Sequence, residues 1–281
     1  MRVQSQGTKT GRVAVAGNVG SPPPKPEEFK FVKFAIEGSV ARLTLNRPEH
    51  NMLNERMLGE LAVGIDSLEG QPEVKLIVLD SATASFCGGI ELGEYTPRRA
   101  FQVLDALQRT FTVMLDTAKP LLVIVNGPAF GGGAELAALG DLVIATPKAK
   151  FAQPEIKLGV YPPLGAAILP YIVGPKRALE LVLTGEVISA ERALGLGLVN
   201  RVVPEDKLAA TVKEVIGQVT AHSGPVLTMA KKAILGSMGL SLREGVRQSM
   251  EIFLNELSSL EDSSEGLRAI AEKRSPQWKN R

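Results

Sequence analysis

Apolar and polar residues alternate from residue 31 onward, as they do in the strands of a half-buried sheet. Phe34 and Ile36 precede a turn at Glu37-Gly38, after which every second residue from 41 to 45 is apolar. Two alternating runs joined by a short turn that contains glycine predict a β-hairpin.

Beyond residue 48 the pattern changes to the period of an amphipathic helix. Apolar residues from Met57 to Leu68 fall on one helical stripe, and a short apolar run typical of a buried strand follows at residues 74–79. The alternation continues with predicted helices at 103–114 and 134–140 and predicted strands at 121–125 and 142–146. This order predicts an α/β body with a mostly parallel sheet, right-handed crossovers and ligand chemistry at the loops beyond the strand ends.

The chain divides into three predicted parts. Residues 1–28 contain four basic residues, no acid before Glu27 and a proline-rich stretch at 21–26, which predicts a flexible leader. The lack of acids leaves an organellar targeting segment open as an alternative. Residues 29–200 form the predicted α/β core with the active site, and residues 201–281 form a predicted helical C-terminal part.

Composition narrows the class of protein. The 281 residues are 44% hydrophobic and 22% charged, which is typical of a globular chain and excludes a fibrous or wholly disordered one. The net charge is +2 with both signs spread along the chain, so electrostatic capture of nucleic acid is not expected. The uncharged run at residues 158–175 contains four prolines, so we predict no membrane-spanning helix there.

Several kinds of site are disfavoured by what the sequence lacks. Cys87 is the single cysteine, which excludes an internal disulfide and favours a reducing compartment, predicted to be the cytoplasm. His50 and His222 are the two histidines, so a histidine triad or a multi-histidine metal site is not expected. Neither a phosphate-binding P-loop, a Gly-x-Gly-x-x-Gly fingerprint nor a Gly-x-Ser-x-Gly elbow is present.

Two glycine-rich turns carry the candidate chemistry. In the first, the strand at 121–125 runs through Gly131-Gly132-Gly133 directly into a helix. Without Cβ atoms, the N–H groups at the helix start are open to a ligand and favour negative charge. In the second, Gly88-Gly89 follows the strand at 74–79, either as a plain turn or as a source of a second donor. An oxyanion hole needs two such donors.

Two glutamates are candidate acid–base groups. Glu135 lies in the first turn of the helix after the three glycines and has only apolar neighbours. It is either a surface acid that complements the helix dipole or, as its isolation favours, a working carboxylate. Glu155 follows twenty residues later, again at a predicted strand end. Two carboxylates that share one pocket can divide the acid and base roles, although their spacing alone is weak evidence.

These residues resemble the enoyl-CoA hydratase/isomerase superfamily, the crotonase fold, from about residue 31 to residue 281. The matching motifs are Leu45-Asn46-Arg47-Pro48-Glu49 with Asn51-Met52-Leu53, Phe86-Cys87-Gly88-Gly89-Ile90-Glu91-Leu92, Asn126-Gly127 with Gly131-Gly132-Gly133-Ala134-Glu135, Phe151 through Glu155, Leu183-Thr184-Gly185 with Ile188-Ser189-Ala190, Gly197-Leu198-Val199, and Glu272-Lys273-Arg274 near Trp278. The resemblance implies a spiral of ββα turns and a helical C-terminal part that builds a trimer or a dimer of trimers.

The resemblance also implies a chemistry. An acyl-CoA thioester would accept hydrogen bonds from the N–H groups of Ile90 and Gly132, and Glu135 and Glu155 would add water to its double bond. The substrate would also contact Glu91, Leu92 and Tyr161. No metal and no redox cofactor is expected, since coenzyme A is part of the substrate.

Two departures from the family pattern refine this expectation. Where most hydratases have a glycine-rich run, this chain has Tyr161-Pro162-Pro163-Leu164, and Ile90-Glu91 replaces the common Ala-Asp. The first, together with residues 93–97, resembles the cyclohexa-1,5-diene-1-carbonyl-CoA hydratases of anaerobic benzoyl-CoA degradation. The alternatives are a generic short-chain enoyl-CoA hydratase, an enoyl-CoA isomerase or hydrolase, and a non-catalytic protein that binds CoA or RNA.

Overall fold

Two sheets follow from the alternation of strands and helices in the sequence. The computed structural model describes residues 25–94, 96 and 99–281. The strands are β1 (Val32–Glu37), β2 (Val40–Leu45), β3 (Leu76–Ser81), β4 (Leu121–Val125), β5 (Pro128–Phe130), β6 (Leu142–Ala145), β7 (Lys150–Ala152), β8 (Ile188–Ser189) and β9 (Arg201–Val202). The helices are α1 (Glu55–Asp66), α2 (Ala100–Asp116), α3 (Gly132–Ala138), α4 (Pro163–Val173), α5 (Pro175–Thr184), α6 (Ala190–Gly195), α7 (Glu205–Thr220), α8 (Gly224–Gly236), α9 (Leu242–Asn255) and α10 (Asp262–Ala271).

The larger sheet has six strands in the order β1-β2-β3-β4-β6-β9. Strands β1 and β2 form the predicted antiparallel hairpin, and every later neighbour in this sheet is parallel. The mostly parallel α/β sheet is therefore confirmed.

A smaller sheet runs beside the larger one in the order β5-β7-β8. Strands β4 and β5 are consecutive in the chain, as are β6 and β7, and each pair contributes one strand to each sheet. Isolated parallel bridges between Cys87 and Ala129 and between Leu53 and Ile90 extend the smaller sheet toward the amino terminus. This stacking confirms the predicted spiral of ββα turns, and it brings the glycine-rich loops of successive turns side by side.

Both faces of the larger sheet are buried, which explains why its strands are continuous apolar runs. Ile77 and Leu79 of β3 pack into the main core with α1, α2 and α3. Leu76 and Val78 point the other way and pack against α7 through Val212 and Val215. Helix α7 is thus attached directly to the core sheet.

The predicted division of the chain at residue 200 stays a prediction, and the sheet places its last strand just beyond it, at Arg201–Val202. Residues 1–24 of the predicted leader lie outside the described residues. Residues 25–28 are described, and Pro26–Glu28 form a short 3₁₀ helix whose last carbonyl accepts a hydrogen bond from Arg56 of α1. Among the described residues, no helix combines the length and the apolar character that crossing a bilayer requires.

Candidate active site

The first candidate donor is the N–H of Ile90, in the loop after β3. Leu53 N donates to Gly89 O at 2.7 Å, and Glu91 N donates to Leu53 O at 2.9 Å. In such a parallel bridge the N–H of the residue between these two bonds points away from the paired segment. The N–H of Ile90 accordingly has no backbone acceptor within the described ranges, and it is free for a ligand.

The second candidate donor is the N–H of Gly132, the first residue of α3. The preceding N–H, that of Gly131, is used in the smaller sheet, where it donates to Ala152 O at 2.9 Å. The first N–H groups of a helix have no acceptor within the helix, and that of Gly132 has none in the described backbone. A Cβ on Gly132 would stand 3.6 Å from Ile90 Cγ1, so the two candidate donors belong to residues in contact.

The close approach of neighbouring groups explains two of the three glycines. Gly131 has a φ of +49°, and a Cβ there would lie 2.2 Å from Oε1 of Glu155. A Cβ on Gly133 would lie 2.3 Å from the carbonyl oxygen of Cys87. Real Cβ atoms do not approach other atoms so closely, so glycine is required at both positions.

Glu135 lies in the first turn of α3 and is 2% exposed. Its Oε1 accepts the N–H of Gly165, in the first turn of α4, at 2.5 Å, and Oε2 lies 3.8 Å from the position of a Cβ on Gly132. The pKa of Glu135 is raised to about 7, chiefly by burial and also by the charge of Glu155, against the hydrogen bonds from Gly165 and Leu164 that lower it.

Glu155 lies in the 3₁₀ turn Pro154–Leu158 after β7 and is 7% exposed. Burial also raises the pKa of Glu155. Its Oε1 touches Gly131, and its Oε2 is buried without a hydrogen-bond partner in the described chain. The two carboxylates therefore lie on either side of Gly131-Gly132, beside the candidate donors, in surroundings that disfavour two negative charges.

The other predicted substrate contacts lie toward solvent. Glu91 directly follows Ile90, and its carboxylate pairs with Arg47 Nη2 at 2.6 Å. Leu92 and Tyr161 are each 65% exposed. The structure thus brings Ile90, Gly132 and the two glutamates together and leaves these three side chains at the edge of the site. Tyr95 and Pro97, which were grouped with the first sequence departure, lie outside the described residues.

Sequence reasoning missed one group that contacts Glu135 and a second group that lies beside it. The N–H of Gly165 reaches Glu135 from thirty residues away in the chain. Gln153 lies next to Gly165, where a Cβ would be 3.1 Å from its Nε2. The proline pair at 162–163 was a usable signal for the first, because proline favours the first position of a helix.

The same geometry bears on whether the site could hold a metal ion. Within the described ranges, no group of three or more histidine, cysteine, aspartate or glutamate side chains could hold a metal ion. The expectation of a site without metal or redox cofactor stays a prediction. What the arrangement can do is bind a developing oxyanion through two N–H groups and exchange protons through two buried carboxylates.

Comparison with known proteins places the chain in a family. A family model described as enoyl-CoA hydratase/isomerase matches residues 35–281. The chain belongs to this family.

Two curated relatives are equally similar to this chain in sequence but have different names. A protein of Dictyostelium discoideum named probable mitochondrial enoyl-CoA hydratase is 33% identical over 267 residues, 91% of this chain and 95% of its own length. The cyclohexa-1,5-dienecarbonyl-CoA hydratase of Thauera aromatica is 33% identical over 245 residues, 87% of this chain and 95% of its own. Hydratases of this kind are hydro-lyases, and the chain is an enzyme of the same type.

Solved structures agree with this assignment. The crystal structure of an enoyl-CoA hydratase subunit I from Geobacillus kaustophilus superposes with a TM-score of 0.83 at 32% identity. The superposition covers 90% of this chain and all of that one. The likeness extends over the core and the C-terminal helices together.

Proposed function

We propose that this enzyme adds water across the conjugated double bond of an acyl-CoA thioester, and that its preferred acyl group is a cyclic diene such as cyclohexa-1,5-diene-1-carbonyl-CoA. The observation that carries the proposal is the pair of buried carboxylates, Glu135 and Glu155, flanking Gly131-Gly132 beside the free N–H groups of Ile90 and Gly132. Family membership supports the reaction class.

In the proposed reaction the thioester carbonyl accepts hydrogen bonds from the N–H groups of Ile90 and Gly132. One glutamate takes a proton from water as the hydroxide adds to Cβ, and the negative charge moves to the thioester oxygen as an enolate. The other glutamate then delivers a proton to Cα. Each N–H donor contributes about 2.7–4 kcal/mol to such a step. Water addition changes no net oxidation state, so the proposed step uses no redox cofactor, and the two N–H groups stabilise the enolate in the proposal without a metal.

The proposed binding of the CoA portion uses the edge of the site. Glu91 and Leu92 follow the donor Ile90 directly, and Tyr161 precedes α4, whose first turn contacts Glu135. All three side chains are accessible for a ligand that enters from solvent toward the two N–H groups. We assign them to substrate contact on this placement.

The preference for a cyclic acyl group is supported by the start of α4. Pro163 is its first residue, and the Gly165 N–H that follows holds Glu135. A helix that begins with proline is more rigid than a glycine-rich loop, so this wall of the pocket is preformed. The name of the Thauera aromatica relative points to the same acyl group. The second candidate is a linear enoyl-CoA, since the relative from Dictyostelium discoideum is equally similar.

Turnover of crotonyl-CoA beside cyclohexa-1,5-diene-1-carbonyl-CoA, with mass spectrometry of the products, tests the proposal. Hydration adds the mass of one water, whereas isomerisation changes no mass. Hydration of the cyclic diene with little action on crotonyl-CoA is the expected result. The reverse preference would support the linear substrate, and products of unchanged mass would identify an isomerase.

The proposal includes a homo-oligomer, a trimer or a dimer of trimers. Exposed apolar side chains repeat along one stripe of α9 at Leu242, Val246, Met250 and Phe253, and Leu242 is 86% exposed. An apolar stripe of this kind is typical of a surface covered by another subunit.

A cytoplasmic location is proposed from the single cysteine, and cell fractionation tests it. An RNA-binding role is disfavoured by the near-neutral charge.

A further inference from the structure

Gln153 is a buried amide beside the two glutamates that makes no hydrogen bond through its side chain. It lies between β7 and the turn that carries Glu155, and it is 2% exposed. Neither its Nε2 nor its Oε1 has a partner among the described residues. A buried primary amide without partners is costly, so its presence calls for a partner that functions in the site.

A carboxylate oxygen of Glu135 lies near the Gln153 amide. A Cβ on Gly165 would lie 3.1 Å from Gln153 Nε2 and 3.2 Å from Glu135 Oε1, so these two atoms are at most 6.3 Å apart, the two distances together. Gly165 has no side chain to separate them. A cavity of about 10 Å³ is lined by Gln153 together with apolar side chains that include Phe151 and Leu169. That volume is close to the smallest that holds one water molecule.

We propose that Gln153 is a positioning residue for Glu135, and that its amide donates to Glu135 Oε1 through one water molecule. With the N–H of Gly165 on the same oxygen, Oε1 is held on the side of α4, and Oε2 faces Gly132. The inference rests on the proposed hydratase function. It goes beyond that function because it gives the two glutamates different surroundings. The Glu135 carboxylate accepts hydrogen bonds, whereas Glu155 Oε2 has no hydrogen-bond partner among the described residues.

The charged and titratable groups around Glu135 are few. Glu155 faces it from the 3₁₀ turn, and Cys87 faces it from the loop after β3. Burial raises the pKa of the Cys87 thiol to about 12, so it is neutral at working pH. From α4 the N–H groups of Leu164 and Gly165 bind the carboxylate. Among the described residues no cationic side chain shifts the Glu135 pKa, so none compensates for loss of the neutral Gln153 amide.

The test is the substitution Gln153→Met, which keeps the length of the side chain and removes its donor. We expect the acidic limb of the kcat profile to move up by about one to two pH units, which is the effect of one hydrogen bond to a charged group, with KM within about twofold of wild type. Leu169→Met changes the same cavity without changing a donor, and its pH profile should match wild type.

A second readout does not depend on turnover. Titration of [13Cδ]glutamate-labelled protein by NMR, with Glu135→Gln used to assign the signal, reports the Glu135 pKa directly. It should rise in Gln153→Met. If Gln153→Met does not fold, Gly165→Ala places a methyl group between the two side chains and should give the same rise.

Superposition of the pH profile and of the Glu135 titration of Gln153→Met on those of wild type would overturn the positioning role. Absence of hydration by the wild-type enzyme, with the NMR shift still present, would overturn the proposed function alone.

Discussion

Glu135 and Glu155 differ in what their oxygens touch, although both are buried at one site. Oxygen Oε1 of Glu135 accepts an N–H from α4, while Oε2 of Glu155 has no partner among the described residues. Two like charges so close together in a buried site cannot both be stable, and their titrations are coupled. The site therefore favours one ionised and one protonated carboxyl group, which is what a reaction with one proton removal and one proton delivery requires.

Replacement of either carboxylate tests whether both glutamates take part in proton transfer. Glu135→Gln and Glu155→Gln should each lower kcat by about 10²–10⁴-fold, the usual contribution of a general acid or base, while the affinity for a CoA ester is retained. Steady-state kinetics and calorimetric binding of a saturated acyl-CoA measure the two effects. The exposed Glu73→Gln is the matched control and should behave as wild type. Near-normal turnover by either variant would show that the assigned glutamate is wrong.

The raised pKa of Glu135 also has a consequence for stability. Its folded pKa is about 7 against 4.5 for the free side chain, so its contribution is fully favourable below pH 4.5 and is lost as the pH rises through 7. The difference amounts to about 3 kcal/mol. Glu135→Gln keeps the acceptor for Gly165 and carries no charge. Its unfolding free energy should exceed that of wild type at pH 8 and match it near pH 4.5, as measured by urea denaturation; an equal difference at both pH values would contradict the raised pKa.

The sequence predicted Glu135 and Glu155 as candidate acid–base groups because each stands in an uncharged stretch, at a helix start and at a strand end, and the resemblance supplied Ile90 and Gly132 as the donors. The resemblance to a known family decided between several readings of the same residues. The sequence was not sufficient to predict that Gln153 and Gly165 belong to the surroundings of Glu135. Their effect on Glu135 depends on the packing of α4 against α3, a contact that no local pattern of residues encodes.

Among the elements, α4 is the helix that shapes the site. It begins at Pro163 directly after Pro162, and its first turn holds Glu135 through Gly165. Proline at the first helical position lowers the entropy of the unfolded chain and presets the helical φ. The position of the Glu135 carboxylate thus depends on the rigidity of this helix start.

Pro163→Gly should loosen that start. We expect a loss of about 0.4–1 kcal/mol in unfolding free energy and a fall in kcat/KM that is larger for the cyclic diene than for crotonyl-CoA. Pro175→Gly is the matched control, since Pro175 begins α5 in the same way. It should lose similar stability with unchanged kcat/KM. Equal effects of the two variants on activity would contradict a special role of α4.

Hydrophobic periodicity predicted the long helices and strands, but it did not predict the short strands. The hairpin and the strands β3, β4 and β6 were predicted within two residues at each end, as were most positions of α1, α2 and α3. Strands β5, β8 and β9 have three, two and two residues, which is too few for a period of two to be visible. They exist because the neighbouring turn of the spiral offers them a partner.

At the scale of the whole molecule, the stripe along α9 is an apolar surface that the described part of the chain leaves uncovered. Leu242, Val246, Met250 and Phe253 recur at the spacing of one helical face. Val246→Glu combined with Met250→Glu should therefore shift the protein toward a monomer in multi-angle light scattering. Lys207→Glu, an exposed change at the start of α7, is the control. An unchanged molar mass of the double variant would exclude this stripe from the subunit contact.

The two candidate donors both belong to the main chain, at Ile90 and Gly132. A main-chain N–H survives every substitution except proline, so mutation at position 90 can alter the shape of the pocket while the anion-binding array is inherited unchanged. The glutamates have no such protection, since one nucleotide change removes either. Descendants of such an enzyme can therefore lose one proton-transfer group, still bind thioesters and acquire another reaction. The spiral fold is thus suited to the evolution of new activities.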